Sequence, residues 1–438
     1  MKTVKFTRRI SVLVFIVLIF FILFFPSGIY AQQEGKEVPD GTEGVTQIVP
    51  VIDSVTGKAT NLPPNEVNTS FSTFKVGLGF IYDYVTYAQE DEFKQQMDSA
   101  NLDLKGAGKL RDFRILASGL LKTKREISWK FAFMYDGASD SWLVRESGVI
   151  VGIPELASRV FIGRTKEGFS MVKVMNGHSP WAMERQMALD PIPIIADGIK
   201  IFGSLPKSRI FWNLGYFNDF VSKGQGFSTF EWQYDARIGW MPFYHTENNN
   251  LLHFAVNLRY GKPLDDQFRL RSRPESNPTP YLIDTGTFPS DHSVHLGAEM
   301  YYNFNRLLLG SEVMTHKFYS DIGEDHQFFG GNLFVSYFLT PTIRPYKTDG
   351  SIFGFVRNNR SVFKGGLGEW EAVLHFSTFN LNDGSIQGGS FWKITPMINW
   401  YITKALRMEF VYGYGVLDRY HLKGGVQFFQ SRVQLTVM

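Results

Sequence analysis

Three arginines at alternate positions, Arg269, Arg271 and Arg273, form the sharpest chemical pattern in the chain. In extended backbone, residues two apart lie about 6.6–7 Å apart on one side. Guanidiniums so placed form a column. Each keeps its charge and takes two oxygens of a phosphate or carboxylate at once. Several moderate sites in a row let an anion step from one to the next. On spacing alone the bland reading, a solvated charged loop, is the stronger. A second set of cations, Lys166, Lys173 and Arg185, is offset by Glu167, Glu184 and Asp190. A third, Arg344, Lys347, Arg357, Arg360 and Lys364 in segment 340–366, faces only Asp349.

Other patterns carry less. Ser290, Asp291 and His292 are adjacent, but neighbours in an extended loop point their side chains apart, unlike a hydrolytic triad. His292 and His295 lack the third ligand that a metal site needs. Tyr412-Gly413-Tyr414-Gly415 has the composition of a potassium filter without a helical pore around it. Gly77-Leu78-Gly79 lacks the third glycine and the helix of a phosphate-binding loop. No enzyme activity, cofactor or metal is expected.

The elements that position these residues begin with an export signal. Lys2, Lys5, Arg8 and Arg9 precede the apolar run Val12 to Phe25, which Pro26-Ser27-Gly28 breaks before Ile29-Tyr30-Ala31. That order reads as a cleavable signal peptide over 1–31, and the run is too short to span a bilayer. The apolar core favours the ordinary export route over a twin-arginine one. Residues 32–70, with Pro39, Pro50, Pro63 and Pro64, show no sustained period and read as a flexible periplasmic linker.

Net charge is +3, so removing the four cations of the signal leaves −1. That excludes nucleic acid as a charge-driven partner. Aromatic residues make up 16% of the chain and charged residues only 20%, against about 25% charged in ordinary soluble domains. There is no cysteine, so stability must come from elsewhere than disulfides.

From residue 71 the period is two. Ile127, Trp129, Phe131, Phe133 and Tyr135 alternate with Ser128, Lys130, Ala132, Met134 and Asp136. Phe254, Val256, Leu258 and Tyr260 alternate with Ala255, Asn257 and Arg259. A packed core would not accept Lys, Asp, Arg and Asn at mid-strand, whereas a wet lumen does. The spacing predicts sixteen strands: 73–85, 110–121, 126–136, 142–152, 159–165, 197–205, 209–217, 231–241, 251–260, 293–304, 306–316, 328–339, 368–378, 391–402, 404–414 and 424–437. The expected fold class is all-β, a transmembrane antiparallel barrel over 71–438. Short links alternate with long ones at 86–109, 166–196, 218–230, 262–292 and 379–390. Only the long link 340–366 falls on the short-turn side, and it is expected to fold into the lumen.

A family resemblance follows from ordered motifs. They are Gly163-Arg164-Thr165-Lys166-Glu167-Gly168-Phe169-Ser170, Met183-Glu184-Arg185-Gln186, and Arg237-Ile238-Gly239-Trp240-Met241-Pro242-Phe243 with Leu252-His253-Phe254. Further on come Arg271-Ser272-Arg273-Pro274-Glu275 with Asp284-Thr285-Gly286, Tyr337-Phe338-Leu339-Thr340 with Arg344-Pro345-Tyr346, Gly368-Glu369-Trp370-Glu371, and Asn399-Trp400-Tyr401. Over nearly all of 71–438 the chain resembles the phosphate-selective porin O and P family. The resemblance implies a sixteen-stranded homotrimeric porin of the outer membrane, set in lipid and inserted by the barrel-assembly machinery. It implies a lumen narrowed by two outer loops and one periplasmic loop, and passive diffusion of small inorganic anions such as phosphate and chloride. The implied anion path takes in Arg269, Arg271 and Arg273 as a ladder, with Lys166, Lys173, Arg185, Arg344, Arg111 and Arg114. The alternative is a general or oligosaccharide-permeable porin. Departures bear on phosphate in particular: Asp112 follows Arg111 where the family has a second arginine, Pro341-Thr342 replaces Gly-Glu, His375 replaces an arginine, and Met438 replaces the terminal aromatic.

Overall fold

The computed structural model describes residues 65–437 except Asp103, Gly226 and Phe227. The expected signal peptide and most of the expected linker lie outside the described residues. Sixteen antiparallel strands close into a barrel. They are β1 (Thr73–Gln89), β2 (Ala107–Leu121), β3 (Ile127–Asp136), β4 (in two pieces, Ser141–Val144 and Ser147–Ile153), β5 (Ser158–Thr165), β6 (Ala196–Leu205), β7 (Ile210–Asn218) and β8 (Phe230–His245). Then follow β9 (Asn250–Pro263), β10 (His292–Phe304), β11 (Leu307–Tyr319), β12 (His326–Phe338), β13 (Glu369–Asp383), β14 (Ile386–Tyr401), β15 (Leu406–Arg419) and β16 (Leu422–Val437). Each strand pairs with its neighbours in sequence, and β16 returns to β1, with Arg432 opposite Asp83. Closure gives the sheet no free first or last strand, which a bilayer core requires.

The alternation sorts side chains as lipid and water demand. On β9, Val256 is 64% exposed and Leu258 47%, while Asn257 and Arg259 between them are 3% and 0% exposed. The exposed faces are therefore apolar and the enclosed faces polar, the inverse of a soluble protein. Aromatic pairs mark the rim at the short turns. Trp370 and Trp400 stack at 5.0 Å, and both indole N–H groups donate to the carbonyl of Leu367, at 2.9 and 3.0 Å. One end of each ring is apolar and the other seeks a polar partner, as at a membrane interface.

The strands extend beyond their expected ends, mostly on the long-loop side. Segment 379–390, expected as a long loop, is instead a hairpin: β13 runs to Asp383 and β14 starts at Ile386. Asp383 pairs with Ile386, so Gly384-Ser385 is the two-residue turn, and Gly384 takes the positive φ, +55°, that its first position needs. Segment 86–109 holds one helix, α1 (Asp91–Ser99), whose i,i+4 pair Phe93 and Met97 is buried. Glu66–Asn68, in the expected linker, pairs with β1.

Segments 166–196 and 340–366 both turn into the lumen, as does the tip of 262–292 around Glu275. A loop enclosed there needs partners for its backbone groups, and the polar wall supplies them. The N–H of Gly168 donates to Asp235 at 2.7 Å, and that of Ser170 to Asn257 at 3.1 Å. Asn399 Nδ2 donates to the carbonyl of Trp181 at 2.8 Å, and Gln434 Nε2 to that of His178 at 2.9 Å. The loop's apolar residues Phe169, Met171, Trp181 and Met187 are buried with wall residues such as Phe334, on which Trp181 stacks at 4.2 Å.

Candidate functional site

A bulge in β2 sets the wall of the narrowed zone. Ile81 pairs with Asp112 and Tyr82 with Leu110, which leaves Arg111 as the extra residue. A bulge lets two consecutive residues serve one face. Arg111 and Asp112 both meet enclosed groups. Arg111 grips Glu184 of the inward segment 166–196, the constriction loop, through Nε at 2.8 Å and Nη2 at 3.3 Å. Asp112 is paired with Arg114 and lies 3.2 Å from His178 Nε2.

Arg145 stands two strands along the same wall, where β4 breaks between its two pieces. Among the described residues, its Nη1 reaches only the sulfur of Met134, at 3.5 Å. A side chain at Gly177 of the constriction loop would lie 3.3 Å from Arg114 Nη2 and 3.5 Å from Arg145 Nη2. Both guanidiniums therefore converge on this glycine. Arg185 completes the group: its Nε donates to the carbonyl of Val172 at 3.2 Å, and its buried Nη2 has no partner. Among the described residues, neither Arg145 nor Arg185 lies within ion-pair distance of a carboxylate. The buried Nε of Arg114 is likewise without a partner. Burial pulls Arg185 down to about 10, against Glu184 and with Arg111 and Arg114, so it is still a cation at neutral pH. Three guanidiniums with unused N–H groups make an oxyanion cradle.

Arg145 was not among the residues singled out from the sequence. Its signal was an arginine at mid-strand, next to Glu146, where the two-residue period of β4 fails.

Arg269 and Arg271 of the arginine column stand on one face of the strand Gln267–Ser272, with Phe268, Leu270 and Ser272 buried on the other, and Arg273 follows just past its end. Its members differ in what they meet. Arg269 is clamped by both oxygens of Asp284, at 2.9 and 2.6 Å. Arg271 and Arg273 both lie over the ring of Tyr281, 4.4 Å from its centre. Arg273 is also electrostatically close to Lys109, two residues before Arg111 on β2. Cations thus continue from the outer hairpin to the constriction.

Three expected path residues are structural instead. Lys173 is buried against Glu167, at 3.4 Å, which Arg259 also holds at 2.7 Å. Lys166 donates to the carbonyl of Met175 and lies 3.5 Å from Glu146. Arg344, expected at the inner mouth, is fully enclosed. It binds Glu371 at 2.6 Å, donates to the carbonyl of Ser179 at 3.0 Å, and reaches the Tyr401 hydroxyl at 3.2 Å. Its charge is neutralised, so it ties segment 340–366 to the constriction loop and the wall.

Solved structures share the fold at low identity. An outer-membrane protein of Vibrio cholerae, OmpT, has a TM-score of 0.54 at 9% identity, covering 85% of this chain and 99% of that one. An anion-selective porin from Comamonas acidovorans has a TM-score of 0.51 at 12% identity, covering 83% and 99%. OmpF of Salmonella typhi has a TM-score of 0.52 at 11% identity, covering 84% and 100%. An uncharacterized protein of Caulobacter vibrioides is 29% identical over 137 residues, 31% of this chain and 27% of that relative's length. The barrel, its polar lumen and its inward loops are those of an outer-membrane porin, and with a family model matching residues 74–435 the chain belongs to the phosphate-selective porin O and P family.

Proposed function

We propose that the channel passes small inorganic anions, phosphate and chloride among them, and that Arg145 and Arg185, with the unpartnered Nε of Arg114 beside them, select them at the constriction. The observation that carries this reading is the absence, among the described residues, of any carboxylate paired with Arg145 or Arg185. A cation already bound to a carboxylate offers a passing anion little. An unmatched one, in a zone of reduced dielectric, offers much more. Arg271 and Arg273 feed this zone from outside.

Reversal potential across a planar bilayer in a potassium chloride gradient tests the proposal. The wild-type channel should show anion preference, and Arg185→Glu should reduce or reverse it. An unchanged reversal potential overturns the assignment. Wild-type indifference to the sign of the ion leaves a general diffusion porin in its place. Comparing chloride, phosphate and pyrophosphate then ranks the permeant ions.

A further inference from the structure

The geometry points to a receptor site for hydroxylated organic phosphates at the outer mouth, distinct from the constriction. It rests on the lumen being an anion path. A cavity of about 920 Å³ lies between α1, the hairpin that carries the arginine column and the β15–β16 turn. Small organic ligands occupy pockets of about 300–1,000 Å³, and an inorganic phosphate is far smaller.

The lining divides by chemistry. On one side stand Arg271 and Arg419, with Tyr281 beside them. Asp284 also lines the cavity, but Arg269 already takes both its oxygens. Arg271 makes no ion pair among the described residues. Its packing over Tyr281 orients the guanidinium and leaves N–H edges for an oxyanion. Arg419 is held in place by donation from Nη1 to the carbonyl of Leu282 at 3.1 Å. Two cations on one side suit a phosphate dianion.

The opposite side is the polar face of α1, with Glu92, Gln95 and Ser99. That face is fixed by what lies behind it. Phe93 and Met97 are buried, and the N–H of Lys423 donates to Gln96 Oε1 at 3.0 Å. Carboxylate, amide and hydroxyl groups there pair with the hydroxyls of a sugar rather than with a second anion. Glu92 repels a bare polyanion and accepts from a hydroxyl, so it favours the ester over the inorganic ion. The site concentrates such solutes at the mouth.

Glucose 6-phosphate added to single channels tests this, with inorganic phosphate and glucose as comparisons. Glucose 6-phosphate should interrupt the chloride current at several-fold lower concentration than inorganic phosphate, and glucose should have little effect. Arg419→Ala and Glu92→Ala should each weaken that block several-fold, with Gln95→Ala as a milder third variant. Equal block by the two phosphates, or block unchanged in folded Arg419→Ala, overturns the inference. A channel that is anion-selective yet indifferent to the ester sinks the mouth site alone. A channel without anion preference sinks the function proposed above.

Discussion

Arg145 and Arg185 differ from the other enclosed arginines in what faces them. Arg237 meets Glu299 at 2.8 Å, Arg344 meets Glu371, and Arg432 meets Asp83. Those pairs are neutral units of the scaffold. A unit charge about 4 Å from a passing ion is worth about 1 kcal/mol even in bulk water. Arg145→Ala and Arg185→Ala should therefore each lower the anion-to-cation permeability ratio by roughly fivefold, read from reversal potentials. Arg125→Ala, at an exposed turn and paired with Glu155 at 2.8 Å, should leave the ratio unchanged. Equal effects from all three variants would mean that total charge, not placement, sets selectivity. Placement is also what the sequence hid. Arg269, Arg271 and Arg273 are legible because two-residue spacing is local. That Asp284 occupies Arg269 while no described carboxylate pairs with Arg145 depends on the folded arrangement, not on local spacing.

The constriction loop is held by a few wall carboxylates. Glu312 accepts from Ser170 Oγ at 2.6 Å, from the Tyr301 hydroxyl at 2.6 Å and from Gln186 Nε2 at 2.8 Å. Glu312→Ala strands these three buried donors and the N–H of Val172, which also donates to Glu312 at 3.3 Å, at about 1–3 kcal/mol each. It should loosen the loop and raise open-channel noise while the barrel still forms. Acid should act on the same loop. Against the upward push of burial, Arg111 and Arg432 hold Glu184 at about 2. Lys393 and His375 likewise hold Glu275, which accepts from the N–H of Met187, at about 2. A carboxylate held below its ordinary range stabilises the fold fully above about pH 4.5, and that contribution fades as pH falls toward 2. Noise should therefore stay flat from neutral pH to about 4.5 and rise between there and 2. A rise near pH 6–7 would point instead to Asp190 of the same loop, whose carboxyl burial pushes up to about 7. All sixteen strands were legible at this scale because alternation is a local signal. The inward path of 166–196 was legible only through the family resemblance, since Ser170 finds Glu312 142 positions away.

Closing the whole barrel brings its first and last strands together, and the same contact secures the constriction. Asp83 of β1 and Arg432 of β16 are register partners joined by two bonds, at 2.6 and 2.7 Å. Arg432 continues past the seam to Glu184 and to the carbonyl of Met183. One side chain therefore couples closure of the wall to the position of the loop that narrows it. Removing one partner of a buried pair leaves the other charged and unmatched, at about 3–5 kcal/mol. Arg432→Leu strands Asp83, while Asp83→Asn leaves Arg432 its bonds to the loop. Both variants should unfold at lower temperature than the wild type when the folded and heat-denatured bands are followed on a gel. Only Arg432→Leu should also add open-channel noise. If Asp83→Asn proves equally noisy, the seam and the loop are coupled through the wall as a whole and not through this guanidinium.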